Sequence, residues 1–186
     1  MACFKKLYPY ILKFQGSGYS VNRYNIDLNS KYGLTFGFIR TSNDLNLFDI
    51  NKDGFITKND LKEINKKIAI SAYKKYFWDK YKLNKFDSSI AFLLMDMYLL
   101  HNPKTTNRLI QQALNKLNYK FKKDGVLTDE AYDIIKKYNS KHLFNLILFE
   151  REKFFNKILQ NNKSGEEQIE KYINKHINKL RKWSGL

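Results

Sequence analysis

Twelve consecutive residues carry the clearest chemical pattern in this chain. The run Asp49-Ile50-Asn51-Lys52-Asp53-Gly54-Phe55-Ile56-Thr57-Lys58-Asn59-Asp60 puts oxygen-bearing side chains at its positions 1, 3, 5, 9 and 12, glycine at 6 and isoleucine at 8. That is the spacing of an EF-hand-type loop, in which a hard divalent cation gathers oxygens around a tight turn. The expected Ca2+ ligands are Asp49, Asn51, Asp53, the Phe55 carbonyl, Thr57 (directly or through water) and Asp60, with Gly54 permitting the sharp bend. Position 12 carries Asp instead of the usual bidentate Glu, which removes ligand oxygens and weakens binding or tilts it toward Mg2+. Sensor proteins pair such loops, so a single one predicts a structural ion. The same residues also read as an Asx-rich turn that starts a helix near Asp60.

Other chemistry is sparse. His101, His142 and His176 are too widely separated for a ligand spacing and are expected as surface or capping residues. Cys3 is the only cysteine, which excludes an internal disulfide. Gly16-Ser17-Gly18 lacks the lysine and preceding strand of a phosphate loop.

Helices must position these residues. Phe4, Leu7, Tyr8, Ile11 and Leu12 recur at helical spacing and predict a first helix ending near Gly16. The stretch from residue 15 to 40, rich in Asn, Gly, Ser and Tyr, predicts a loop or small irregular hairpin. Leu61, Ile64, Ile68, Ala72 and Tyr76 form one stripe and predict an amphipathic helix. Ser88–Leu100 is the most apolar helix, stopped by His101-Asn102-Pro103. Helices follow over 105–117, capped by Thr105 or Thr106, over 128–138 after the Asp124-Gly125 turn, from Ser140 to Leu159, and finally to Trp183.

At 186 residues, 43% of them hydrophobic and 16% aromatic, the chain can bury a core without staples and lies outside the disordered class. Its longest apolar stretch is too short to span a membrane. The N-terminus MACFKKLYPYILKF has no sustained apolar region and no small-residue cleavage site, so no signal peptide is expected. Lys and Arg total 34 against 18 acids, a net charge of +16, which calls for an anionic partner: nucleic acid, acidic lipid or an envelope polymer. Arg is scarce and no dense Arg-rich face is present, which argues against nucleic acid.

Several short segments, in order, carry a resemblance. They are Tyr10-Ile11-Leu12-Lys13-Phe14-Gln15-Gly16-Ser17-Gly18-Tyr19, Lys31-Tyr32-Gly33-Leu34-Thr35 and Ala72-Tyr73-Lys74-Lys75-Tyr76-Phe77-Trp78 in the first half. In the second half they are Leu94-Met95-Asp96, Leu109-Ile110-Gln111, Asp124-Gly125-Val126-Leu127 and Arg151-Glu152-Lys153-Phe154-Phe155. Together they resemble glycoside hydrolase family 108, the lysozyme-like muramidases of phage endolysins, with their C-terminal peptidoglycan-binding domain. The resemblance implies a mostly α, two-lobed lysozyme-like fold with a small irregular or β segment near residues 15–40. It implies a muramidase lobe over 1–85, holding the loop at 49–60, and a helical peptidoglycan-binding lobe over 86–186. The implied reaction is hydrolysis of the β-1,4 bond between N-acetylmuramic acid and N-acetylglucosamine, on peptidoglycan glycan strands as partner. Release to the wall would go through phage lysis or specialised secretion.

One departure decides the expected activity. Gln15 stands where the family has its catalytic Glu, the general acid that protonates the leaving oxygen. An amide cannot supply that proton, and losing acid catalysis costs about 10² to 10⁴ in rate. By the same resemblance Asp27 is the candidate second carboxylate, Thr35 would position a water, and Tyr19 and Tyr32 would line the sugar groove. The alternative is a non-catalytic peptidoglycan-binding or structural protein. The family's DPGG segment is also missing, with Asn25-Ile26-Asp27-Leu28 near that place.

Overall fold

The computed structural model describes residues 1–23, 25–138, 140–161 and, beyond these, 174, 177, 178, 180 and 181. The expected final helix to Trp183, with His176, lies largely outside the described residues. The chain divides into two compact units, Met1–Asn84 and Lys85–Leu186. The fold is mostly α, as expected, and among the described residues no helix is long and apolar enough to cross a membrane.

In the first unit, helix α1 (Phe4–Gln15) buries Phe4, Leu7 and Ile11 along one stripe and ends where the Gly16 N–H returns to the Leu12 carbonyl. The segment expected as loop or irregular hairpin is a small antiparallel sheet, β1 (Tyr19–Ser20), β2 (Ser30–Lys31) and β3 (Leu34–Thr35), with Tyr19 opposite Lys31 and Lys31 opposite Leu34. A 3-10 turn over Ile26–Leu28 links the first two strands. The last two are joined by the two-residue turn Tyr32-Gly33, whose φ values of +51° and +71° give the left-handed hairpin turn that matches strand twist.

Thr35 then caps α2 (Phe36–Ser42), and α3 (Leu45–Phe48) leads into the twelve-residue loop. The helix expected from Leu61 to Tyr76 is three pieces: α4 (Lys58–Glu63), α5 (Lys66–Tyr73) and a π-helical turn (Lys74–Asp79). The break has a local cause. Ile64 is extended and wholly buried, and the Asn65 side chain caps a fresh helix by accepting the Ile68 N–H. The break rephases the buried face, so Ala69, Ala72 and Tyr73 are in the core while Ile68 and Tyr76 are half-buried.

In the second unit, Asp87 caps α6 (Ser88–Leu100), whose residues Ile90 to Tyr98 are all buried. Helix α7 (Pro103–Asn115) starts at proline, where the missing N–H costs nothing, and is capped by Asn102, which accepts the Thr105 N–H at 2.8 Å. The expected caps at Thr105 or Thr106 are therefore replaced, and Thr106 instead bonds the Met97 carbonyl inside the core. Helix α8 (Asp129–Lys137) is capped by Thr128, and α9 (Ser140–Asn161) packs on α6 and α7.

Distant pairs join the elements of this unit. Arg151 on α9, wholly buried, meets Asp96 on α6 at 2.7 Å. Its Nε also donates to Nε2 of His101 at 3.1 Å; His101, half-buried, is the C-cap of α6, within the expected surface or capping role, and in addition a partner of Arg151. Gln111 on α7 closes the Asp124-Gly125 turn: its carbonyl accepts the Gly125 N–H at 3.0 Å, and its amide donates to the Val126 carbonyl at 2.8 Å.

Candidate functional site

Gln15 is the last residue of α1, and its side chain lies across the β2–β3 turn. A Cβ built on Gly33 would stand 2.6 Å from Gln15 Oε1 and 3.0 Å from its Cβ and Cγ. Glycine suits this position, both for the close approach and for a left-handed φ that other residues adopt only under strain. The preceding residue, Tyr32, holds a left-handed φ that bulky side chains rarely adopt. It is held from beneath: the buried Tyr73 hydroxyl donates to the Tyr32 carbonyl. Residues 15, 32–33 and 73, from three separate elements, thus meet at one place.

The remaining expected site residues have defined surroundings. Thr35 Oγ1 accepts the Phe38 N–H at 3.2 Å as the cap of α2, so its hydroxyl is oriented by the helix it starts. Asp27 lies in the 3-10 turn with its side chain against Gly37 and its Oδ2 3.0 Å from Arg40 Nη2. Its charge is matched by the Arg40 guanidinium at a half-exposed position. Tyr19 in β1 has the Lys62 ammonium 5.9 Å from its ring centroid and the Asn29 amide 3.5 Å from its hydroxyl. The Lys31 ammonium in turn donates to the Lys62 carbonyl, tying α4 to this sheet.

Gly33, Tyr73 and Arg40 are not among the site residues expected from the sequence. Tyr32-Gly33 between two short β-compatible pairs was the available signal for the turn, whereas nothing local marks Arg40 or Tyr73 as partners of residues 13 and 41 positions away.

The twelve-residue loop curls around its own side chains. The Asp53 N–H is shared by Asp49 Oδ1 at 3.2 Å and Asn51 Oδ1 at 3.3 Å, which brings those two oxygens to one point. Asp49 Oδ2 takes the Gly54 N–H at 2.8 Å, and Asp53 Oδ1 takes the Phe55 N–H at 2.9 Å. The far end is engaged differently. Asp60 is buried; its Oδ1 accepts the Ile50 N–H at 2.8 Å and its Oδ2 accepts the Thr57 N–H at 2.8 Å and the Thr57 hydroxyl at 2.6 Å. Thr57 and Asp60 form a capping box that starts α4. Burial by itself would raise the Asp60 pKa, but the hydrogen bonds from Thr57, Ile50 and Asn51 outweigh it and hold the carboxyl below its ordinary value.

The near end of the loop thus gathers Asp49, Asn51 and Asp53 around its own backbone N–H groups, while Thr57 and Asp60 are engaged with each other. Among the described residues no three His, Cys, Asp or Glu side chains are arranged to hold a metal by themselves, so an ion here would depend on Asn51 and the Phe55 carbonyl as well.

No family model matches the sequence, and no curated protein matches it. Solved structures do. This chain is similar to SagA of Brucella abortus, with a TM-score of 0.71 and 15% sequence identity, over 95% of this chain and 92% of that one. At that identity the likeness establishes a shared fold along nearly the whole chain.

Proposed function

We propose that this chain binds the glycan strands of peptidoglycan on a lysozyme-like muramidase frame of the family 108 kind, and that hydrolysis is lost while Gln15 occupies the acid position. The observation that carries this reading is the seat of Gln15 against the Tyr32-Gly33 turn. The three N-terminal segments that resemble the muramidase signature meet there, at the end of a helix facing a small sheet. Gln15 matches Glu in shape, so a sugar can still be held, but it has no proton to give to a leaving oxygen. Asp27, paired with Arg40, offers no replacement acid. The loop at 49–60 is a structural cation site in the same proposal, selective for neither sensing nor catalysis, with Asp49, Asn51, Asp53 and Phe55 as principal ligands.

The test uses purified sacculi. The protein is expected to co-sediment with them without clearing the suspension, and Gln15→Glu is expected to clear it. Folded Gln15→Glu that binds and still fails to clear would leave the non-catalytic reading in place. A protein that ignores sacculi altogether would overturn both. For the loop, titrating metal-stripped protein with millimolar Ca2+ should release or absorb heat, and Asp49→Ala should abolish that heat.

A further inference from the structure

Cations that lie far apart in sequence converge on one groove of the second unit, of about 810 Å³. Arg108 comes from α7, Lys116 and Lys123 from the segment after it, and Lys153 and Lys157 from α9. The acid among its described lining residues is Glu150, which is buried and already matched, with Lys116 Nζ 3.4 Å from Oε1 and Lys153 Nζ 3.8 Å from Oε2. Among the described residues Arg108, Lys123 and Lys157 have no acidic partner, so the groove keeps a surplus of positive charge that draws an anion from outside.

Aromatic surface accompanies that charge. The Asn115 side chain accepts the Phe121 N–H at 2.7 Å and donates to the Phe121 carbonyl at 2.8 Å, which pins Tyr119-Lys120-Phe121-Lys122-Lys123 to the end of α7. In this segment the lysines are exposed and the two rings half-buried, their centroids 6.2 Å apart. Phe149 on α9 is 47% exposed, and the groove lysines Lys116 and Lys153 stand 4.7 Å and 5.8 Å from its ring centroid. Leu109, Phe154 and Ile158 supply an apolar floor, and a second hollow of about 320 Å³ continues the groove past Phe154 and Ile158.

A compact phosphate ion would engage the cations and leave the rings and floor unused. A strand of nucleic acid engages both, its phosphates on the ammonium groups and its unstacked bases on the aromatic and aliphatic surface. A duplex presents the same phosphates but keeps its bases stacked on one another. Four of the five groove cations are lysines, point charges without the planar fork that reads a base edge. Scarce arginine counts against sequence-specific reading and leaves this mode untouched. We infer that the groove between α7 and α9 binds single-stranded nucleic acid without sequence preference, a function separate from the glycan reading of the first unit.

The probe is fluorescein-labelled oligodeoxythymidine, titrated with the full-length chain and followed by anisotropy. Saturable binding is expected, with log K falling against log salt at a slope of about −2 to −3.5, the value for roughly three to five neutralised phosphates on a single strand. Arg108→Glu with Lys157→Glu, at two exposed positions, should weaken it at least about tenfold. The same reversal at Lys136 and Lys137, exposed on α8 outside the groove, should change it less than about twofold. Phe149→Ala should weaken it about fivefold or more and leave the salt slope unchanged, which separates stacking from charge. Absence of saturable binding would overturn the inference, as would equal losses from the groove and α8 reversals. A duplex of the same length bound as tightly, or inorganic polyphosphate competing equally at matched charge, would overturn it too, by showing that the bases contribute nothing. Sedimentation with sacculi is scored separately, so either reading can fail without the other.

Discussion

A methyl group at position 33 would push the Gln15 side chain aside. It would meet the Gln15 side chain at 2.6 Å and would hold alanine at a φ of +71°. Gly33→Ala is therefore expected to destabilise the first unit by about 1–3 kcal/mol, measured by urea unfolding, and to weaken sacculus binding by displacing Gln15. The Asp27–Arg40 pair should behave otherwise. Both side chains are more than a third exposed, so Asp27→Asn is expected to change stability by less than about 1 kcal/mol in the same assay. Gln15 and Tyr32 were legible as candidates through short motifs, and their order along the chain was legible too. Their assembly was not, because it depends on contacts such as the one from Tyr73 to Tyr32, 41 positions apart, which no local pattern encodes. The capping role of Thr35 was readable in principle from a threonine preceding an apolar run, but α2 is only 7 residues long and gives too little periodicity to see.

Between residues 49 and 63 one carboxylate serves two elements. Asp60 closes the loop by holding Ile50 and starts α4 by holding Thr57. Its folded pKa is depressed, so its stabilising contribution is full above the ordinary carboxylate value near 4 and is lost as pH falls through the folded value. Urea unfolding across a pH series should show stability falling below about pH 4, and Asp60→Asn should flatten that part of the profile while lowering stability at pH 7. Thr57→Ala, which removes the other half of the capping box, should cost about 1 kcal/mol. Most helices announced themselves by apolar spacing, and the stop at His101-Asn102-Pro103 fixed where α6 ends. The break at Ile64-Asn65 escaped because the apolar stripe continues through it; the Asn65 cap decides the matter, and Asn in mid-pattern reads as well on a solvated face as at a cap.

At the scale of the chain, +16 charges distribute over two units that each bury their own core. Association with sacculi should weaken as salt rises from low to physiological strength, since attraction between exposed charges is screened beyond about 8–10 Å. Within the second unit Arg151→Ala should be severe, about 3–5 kcal/mol, because it removes a buried counter-charge from Asp96. Hydrogen exchange should then rise across 85–161 and stay low in 1–84. The mostly helical class was evident from composition and periodicity, whereas the Asp96–Arg151 and Gln111–Gly125 pairings were visible only as separate fragments of motifs. The Asp96–Arg151 pair also sets an order of events during synthesis. Helix α6 leaves the ribosome 55 residues ahead of its counter-charge, apolar on every side and carrying a carboxylate it cannot yet bury. The second unit thus has a built-in waiting time, during which the apolar α6 is exposed; nascent chains arrested before residue 151 should cross-link to a chaperone through α6, and released, folded protein should not.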